Sequence, residues 1–375
     1  MILIGSRSLL LASFVVFAWA TVSNIYHIPS ALSNAPNHAQ FTSNNTGLDA
    51  PKVHPINASA FDWWYFDVVS TDPASFASAV VVFYTASSTA IPGQAPSNMT
   101  LPVQIWLTFP NGTQIFAQTQ ADAATVTAEG DFSSGDWHGS GFSWQYAQDS
   151  GTGSFNILID APDSQIKGTI NFQPRAPAHY PCGPAQGGQN MEVGPQIGWA
   201  NALPDAVSTV DLIVSGTKLS FSGAGYHDKN WSDQPLISNL ASWYWGHGRI
   251  GPYSIVWFDF LALNGTEYVS AYASKGHSIL VASCEPGSIR VRPTGQNSMY
   301  PPHISTGDPS GYHITLGLGT EGSLELNVSV EVQIAAIPPI YTRSKGRVTG
   351  VLTTVGREVE EMAGVALFEQ FALTE

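Results

Sequence analysis

Ionisable side chains sit among tryptophans and tyrosines in three short segments of this 375-residue chain. The first is Phe61-Asp62-Trp63-Trp64-Tyr65-Phe66-Asp67. The second is Gly225-Tyr226-His227-Asp228-Lys229-Asn230-Trp231. The third runs from Ser242-Trp243-Tyr244-Trp245-Gly246-His247-Gly248-Arg249 into Ile255-Val256-Trp257-Phe258-Asp259. Buried charge needs a partner or a ligand, and an aromatic cavity with a few convergent polar groups is the usual form of a small-molecule site. An aspartate in such a setting can serve as general acid. A lysine, arginine or histidine can donate hydrogen bonds to an oxygen that gains charge. Indole and phenol faces can stack a flat ring or stabilise a cation. On these grounds Asp228, Lys229, Asp259 and His247 are the candidate catalytic groups. Trp64, Tyr65, Trp231, Trp245, Arg249 and Trp257 are the candidate substrate contacts.

Each residue also has a plainer use. A tryptophan such as Trp63 or Trp243, taken singly, is more often core. His247 with Arg249 can be a satisfied polar edge, Asp228 with Lys229 an ion pair at a strand end, and Asp67 a turn cap. His54, His138 and His303 carry no pattern. The occurrence of all three segments in one chain favours a site. Other chemistries lack their signatures: there is no G-x-S-x-G elbow, no H-E-x-x-H helix and no P-loop. Gly246-His247-Gly248-Arg249-Ile250-Gly251 lacks the strand-to-helix context of a dinucleotide turn. Nothing fixes the separation of Asp67, Asp228 and Asp259 that a glycoside hydrolase would need. No C-x-x-C spacing occurs, and no metal site is expected.

Strands must position these residues. About 43% of the chain is hydrophobic and 11% charged, with 35 glycines and 25 prolines, a mixture suited to strands joined by turns. Val80 to Tyr84, Gln104 to Phe109 with Gln114 to Gln118, and Ser154 to Ile159 with Lys167 to Phe172 read as strands and hairpins. So do Asp211 to Val214 with Lys218 to Phe221, Tyr253 to Leu263 with Glu267 to Ala273, Ser278 to Cys284, Tyr312 to Leu318 and Leu324 to Val332. Pro174 to Pro195 reads as a long loop. Val355 to Met362 is expected as a short helix and Ala366 to Phe371 as a closing strand. The predicted fold is all-β in two domains, residues 51–235 and 236–375, divided near Gln234-Pro235. Side chains alternate across a strand. Trp243, Trp245, His247 and Arg249 therefore share a face, as do Ile255, Trp257 and Asp259. His227, Lys229 and Trp231 lie opposite Tyr226, Asp228 and Asn230.

Arg7, the apolar run Leu9 to Ala18 and Ala18-Trp19-Ala20 form a signal peptide over residues 1–20. The run is too short for a membrane span, so a secreted or lumenal protein with no span after cleavage is expected. Residues 21–50, polar and aperiodic, read as a mobile leader. Sequons at Asn44, Asn57, Asn98, Asn111, Asn264 and Asn327 suit glycosylation. The one at Asn230 falls inside the second segment and is expected to stay bare. The two cysteines, Cys182 and Cys284, are a possible disulfide in an oxidising compartment. A net charge of −14 disfavours nucleic acid and anionic lipid and leaves small molecules as the expected partners.

The W-W-Y-F-D stretch from Trp63, the G-x-G-Y-H-D-x-N-W stretch from Gly223 and the W-x-W-G from Trp243 resemble the carotenoid 1,2-hydratase (hydroxyneurosporene synthase) superfamily. Its fungal branch includes Diels–Alderases of secondary metabolism. The resemblance implies an N-terminal β-sandwich-like domain, a C-terminal lipocalin-like barrel and a pocket at or near their interface. Where family hydratases resemble H-D-H-N-W, this chain has Lys229 for the second histidine. Near a Y-x-D-like element it has Trp257 and Asp259. These departures argue against hydration of an unactivated alkene. With the secretory signal, they imply a cofactor-independent pericyclase, similar to hetero-Diels–Alderases that join a tropolone-type o-quinone methide to a terpene alkene such as humulene. In that reading Asp259 or Asp228 is the acid, and Lys229, or Arg249 with His247, holds a carbonyl. Trp64, Trp231, Trp245 and Trp257 stack the ring. A dehydratase or epoxide-opening cyclase of a prenylated or polyene scaffold, and a lipocalin-like carrier, remain the alternatives.

Overall fold

The computed structural model describes residues 24–375 apart from 45–46, 95, 130–131, 150–151 and 355–359. The signal-peptide segment, residues 1–20, lies outside the described residues. The chain is all-β. Its first large sheet runs, in spatial order, through Asn24–Pro29, Ala123–Glu129, Phe132–His138, Phe142–Asp149, Thr152–Ala161, Ile166–Pro174, Ile197–Val214, Thr217–Ser232, Phe61–Ser70, Ser78–Ala86, Pro102–Thr108 and Gln114–Gln120. The second runs through Ser278–Ser283, Glu267–Lys275, Tyr253–Ala262, Leu240–Ile250, Glu360–Ala372, Tyr341–Thr353, Ser323–Ile337, Gly311–Gly317 and Ile289–Thr294. Paired strands are antiparallel, as expected from hairpins joined by turns.

Period-two alternation builds three cores from these two sheets. Along Phe61–Ser70, Trp64, Phe66 and Val68 enter a core enclosed by the first sheet. Their neighbours Phe61, Trp63 and Tyr65 enter a core between the sheets. In the second sheet Tyr244, Ile255 and Trp257 fill its own interior, while Trp243, Trp245 and Phe258 face the first sheet. The central strands are thus apolar on both faces. Fully burying one such side chain contributes roughly 1.5–3 kcal/mol relative to leaving it exposed. Gly246 is required here, because a Cβ would stand 2.3 Å from the Trp257 ring.

Three expectations are corrected. The described part of the expected leader, residues 21–50, is not free: Asn24–Pro29 pairs with Ala123–Glu129, and His38–Ala39 pairs with Val53–His54. Buried side chains bind its backbone carbonyls. Trp64 Nε1 donates to Asp49 O at 2.8 Å, Trp231 Nε1 to Gln40 O at 2.9 Å and Lys229 Nζ to Ala50 O at 3.1 Å. Aperiodic sequence hid this, because the order comes from these hydrogen bonds and from irregularly spaced apolar residues, with Leu32, Ala39, Phe41 and Leu48 packing against the cluster that holds Trp231. The expected helix over Val355 to Met362 lies mostly outside the described residues, and Glu360 to Met362 begin the strand Glu360–Ala372. That strand pairs on both sides, with Leu240–Ile250 and Tyr341–Thr353. The stretch Pro174 to Pro195, expected as a loop, carries the short paired strands His179–Tyr180, Gly183–Pro184 and Glu192–Gly194 and is tied down by the bonded cysteines, Cys182 and Cys284.

Candidate active site

Between the sheets lies a cleft with about 660 Å³ of empty space, open mouth included. Aromatic walls with a few convergent polar groups are the usual form of a small-molecule site. The first sheet contributes Trp63, Tyr65, Tyr84, Trp106, Asp228 and Asn230. The second contributes Trp243, Trp245, Phe258, Tyr341, Arg343 and Glu369. These residues meet because alternation sends Tyr226, Asp228 and Asn230 to one side of Thr217–Ser232, and Trp243 and Trp245 to the facing side of Leu240–Ile250.

Asp228 and Glu369 are the two carboxyls that line this cleft. Trp199 Nε1 and the Tyr226 hydroxyl both donate to Asp228 Oδ2, at 2.7 and 2.8 Å. The proton of the acid form therefore belongs on Oδ1. Burial pushes the carboxyl up to about 7, against the pull of those two donors, so much of it is protonated near neutral pH. Opposite stands a buried ion pair. Arg343 Nε lies 3.4 Å from Glu369 Oε2, and the Tyr341 hydroxyl donates to the same oxygen at 2.6 Å. Burial raises Glu369, while Arg343 and Tyr341 oppose the rise. The guanidinium also lies against the rings of Tyr65, Trp106 and Tyr341.

Of the residues expected from sequence, Asp228, Tyr65 and Trp245 line the cleft. The others do not. Lys229 points to the opposite face, where it is buried at 2.8 Å from Asp62 Oδ1 and lies over Trp64. Its role there is to neutralise Asp62 and hold the Ala50 carbonyl. Trp64 fills the first-sheet core and Trp231 packs beneath the N-terminal segment. Asp259 and Trp257 face the second sheet's interior. Asp259 meets Arg292 and the Tyr300 hydroxyl, each at 3.0 Å, and Trp257 is core. His247 and Arg249 share the expected face but serve as ties between the sheets, to Asp67 at 2.9 Å and to Asp205. The His247 ring stacks on Tyr226, the residue that donates to Asp228.

Arg343 and Glu369 are not among the residues expected from sequence. Their signal is present there: charged residues inside apolar strands, Tyr341-Thr342-Arg343 and Phe368-Glu369-Gln370-Phe371, which demand partners. Trp243, which taken singly reads as core, is a cleft wall.

A sequence profile of the family described as Diels-Alderase-like matches residues 21–286. The chain belongs to the Diels-Alderase-like family. It is 35% identical over 345 residues to the quinolone epoxide rearrangement protein asqO of Emericella nidulans, covering 92% of each chain. It is 35% identical over 362 residues to the quinolone epoxide rearrangement protein penF of Penicillium thymicola, covering 93% of this chain and 96% of that one. The crystal structure of CghA with Sch210972 has the same fold: TM-score 0.72, 18% identity, with 93% of this chain and 99% of that chain covered. The Diels-Alderase-like chain is thus an enzyme of lyase or isomerase type that acts on small molecules. No helix among the described residues is long and apolar enough to cross a membrane.

Proposed function

We propose that this enzyme rearranges an epoxide carried by a quinolone-type substrate, using Asp228 as general acid. The observation that carries this reading is a carboxyl held near neutral pKa in an aromatic cleft. The two relatives with 35% identity over nearly their full lengths support the substrate class. The Asp228 proton passes to the epoxide oxygen as its C–O bond breaks, leaving an alcohol and an electron-poor carbon. The faces of Trp243, Trp245 and Phe258 stabilise that carbon and exclude water that would trap it. An internal nucleophile or a migrating bond closes on it, and the proton then lost returns to Asp228. The product is an isomer, with no net gain of water or protons. General acid catalysis contributes typically about 10²–10⁴-fold. The test is to incubate purified protein with a racemic quinolone epoxide and resolve products by chiral chromatography. A single rearranged isomer absent from the no-enzyme control supports the reading; spontaneous diol alone contradicts it.

Cycloaddition is the second reading, favoured by membership in the Diels-Alderase-like family. Its specific form is an o-quinone methide of tropolone type joined to an alkene such as humulene. The cleft would then hold both partners, and alignment alone supplies a large part of such a barrier. Enantiopure adduct from that pair, with no epoxide turnover, would establish it instead.

The chain also follows the secretory route in this reading. Asn44, Asn98, Asn111, Asn264 and Asn327 are exposed, Asn57 is half-buried, and Asn230 is buried. A gel shift on endoglycosidase treatment of protein from a fungal host checks it; an unshifted band speaks against it.

A further inference from the structure

Two donors in one corner of the cleft have no partner. The Tyr65 hydroxyl and Arg343 Nη1 each make no hydrogen bond in the free protein. Both residues are more than nine-tenths buried, with 4% and 6% of their surface exposed, and both line the cleft. A buried donor without an acceptor is unfavourable and uncommon in native proteins. The two are neighbours, since the Arg343 guanidinium carbon is 4.9 Å from the Tyr65 ring centroid.

The rest of Arg343 is fixed. Glu369 holds its Nε edge, and the Tyr341 hydroxyl holds Glu369. The rings of Tyr65, Trp106 and Tyr341 surround the guanidinium, so it cannot swing away to satisfy itself. Burial and the nearby Asp67 hold the Tyr65 phenol well above its ordinary value, so it keeps its proton and remains a donor. The corner is therefore a preorganised pair of N–H and O–H donors with a positive charge behind them. Its complement is an oxygen with lone pairs and partial or full negative charge.

We propose that Tyr65 and Arg343 form a subsite for the conjugated carbonyl oxygen of the substrate. The ligand class is a planar lactam or vinylogous amide, whose oxygen carries extra negative charge through its nitrogen. This deepens the reading of the cleft as the site of epoxide rearrangement and rests on it. With the carbonyl anchored at Arg343 and the ring plane against the tryptophans, the reacting carbons are presented to Asp228. The Tyr65 and Arg343 donors then act as binding and positioning groups, while Asp228 handles the proton. They also drain electron density from the conjugated ring, which steers where positive charge develops when the epoxide opens.

The test compares two flat probes that need no turnover, 2-quinolone and quinoline, the second lacking the carbonyl. Binding is followed by quenching of tryptophan fluorescence. The protein is expected to bind 2-quinolone roughly tenfold or more tightly than quinoline. Tyr65→Phe is the informative variant, because it removes a hydroxyl that has no partner in the free protein. It is expected to leave the melting temperature unchanged or raised, and to shrink the preference for 2-quinolone by roughly three- to tenfold. Arg343→Lys keeps the charge but loses the planar fork and is expected to shrink the preference further. A Tyr65→Phe protein that keeps the full preference, or a wild-type protein that binds both probes equally, would overturn the subsite. Turnover of the epoxide with unchanged preference in Tyr65→Phe would overturn the subsite and leave the reaction standing. Carbonyl preference lost in Tyr65→Phe, without any epoxide turnover, would support the subsite and remove the reaction.

Discussion

Asp228→Asn should abolish chemistry while making the protein more stable at alkaline pH. The substitution preserves shape, and the asparagine oxygen can accept from Trp199 Nε1 and the Tyr226 hydroxyl in place of Oδ2. What it removes is the transferable proton, and general acid loss typically lowers kcat by about 10²–10⁴-fold. The stability effect follows from the raised pKa. In the unfolded chain the carboxyl ionises around 3.8, and in the folded chain around 7. Between these values the unfolded state binds fewer protons, so stability falls as pH rises. The penalty is absent below 3.8 and complete above about 7. At about 1.4 kcal/mol per pH unit it approaches roughly 4 kcal/mol, as an upper bound that relaxation and water entry reduce. The assay pairs steady-state turnover with urea melts of both proteins at about pH 3 and pH 8, on either side of that window. The Asp228→Asn protein should lose activity at both pH values and gain stability over wild type at the higher pH but not at the lower. In the wild type, kcat/KM should fall as pH rises through about 7. A variant that keeps turnover, or is destabilised equally at both pH values, would refute the assignment of Asp228 as a buried proton donor.

Lys229→Met should cost roughly 3–5 kcal/mol in stability, because Asp62 is left buried without its cation, yet the protein that folds should keep its pH profile. Asp259→Asn should leave turnover and product isomer unchanged, measured in the same assay, since its partners are Arg292 and Tyr300, away from the cleft between the sheets. His179 is held neutral, with burial lowering it to about 4. The unfolded state takes up its proton below 6.5, so this contribution is intact above 6.5 and lost as pH falls to 4. His179→Gln should flatten the stability change across that window by up to about 3 kcal/mol, read from urea melts. Cys284→Ser opens a loop with a separation of 102 residues, and melting of the non-reduced variant should show a loss of up to about 5 kcal/mol.

The all-β class and many strand positions were legible because turns and alternating apolar residues mark them locally. Gly225 to Trp231 shows both the reach and the limit of that logic. Alternation correctly separated Asp228 from Lys229, but it could not say which face meets the cleft, since both faces of the strand are buried. The same ambiguity misplaced Trp257 and Asp259: the strand Tyr253–Ala262 is apolar on both sides, and the side that meets the first sheet carries Phe258 instead. His247 and Arg249 lay on the correct face, yet Asp67 and Asp205 consume them as ties. The pairing of the last two strands sets Arg343 beside Glu369, and packing of the second sheet on the first sets Arg343 against Tyr65, long-range arrangements that no local pattern encodes.

The most direct test of the cleft as active site is a crystal structure of Asp228→Asn protein soaked with a quinolone epoxide. The epoxide oxygen should lie about 3 Å from the side-chain amide at position 228, hydrogen-bond distance for a proton donor. The ring should rest against Trp243 and Trp245, between the two sheets. An epoxide bound inside the second sheet beside Asp259 and Trp257, with the inter-sheet cleft empty, would contradict the account.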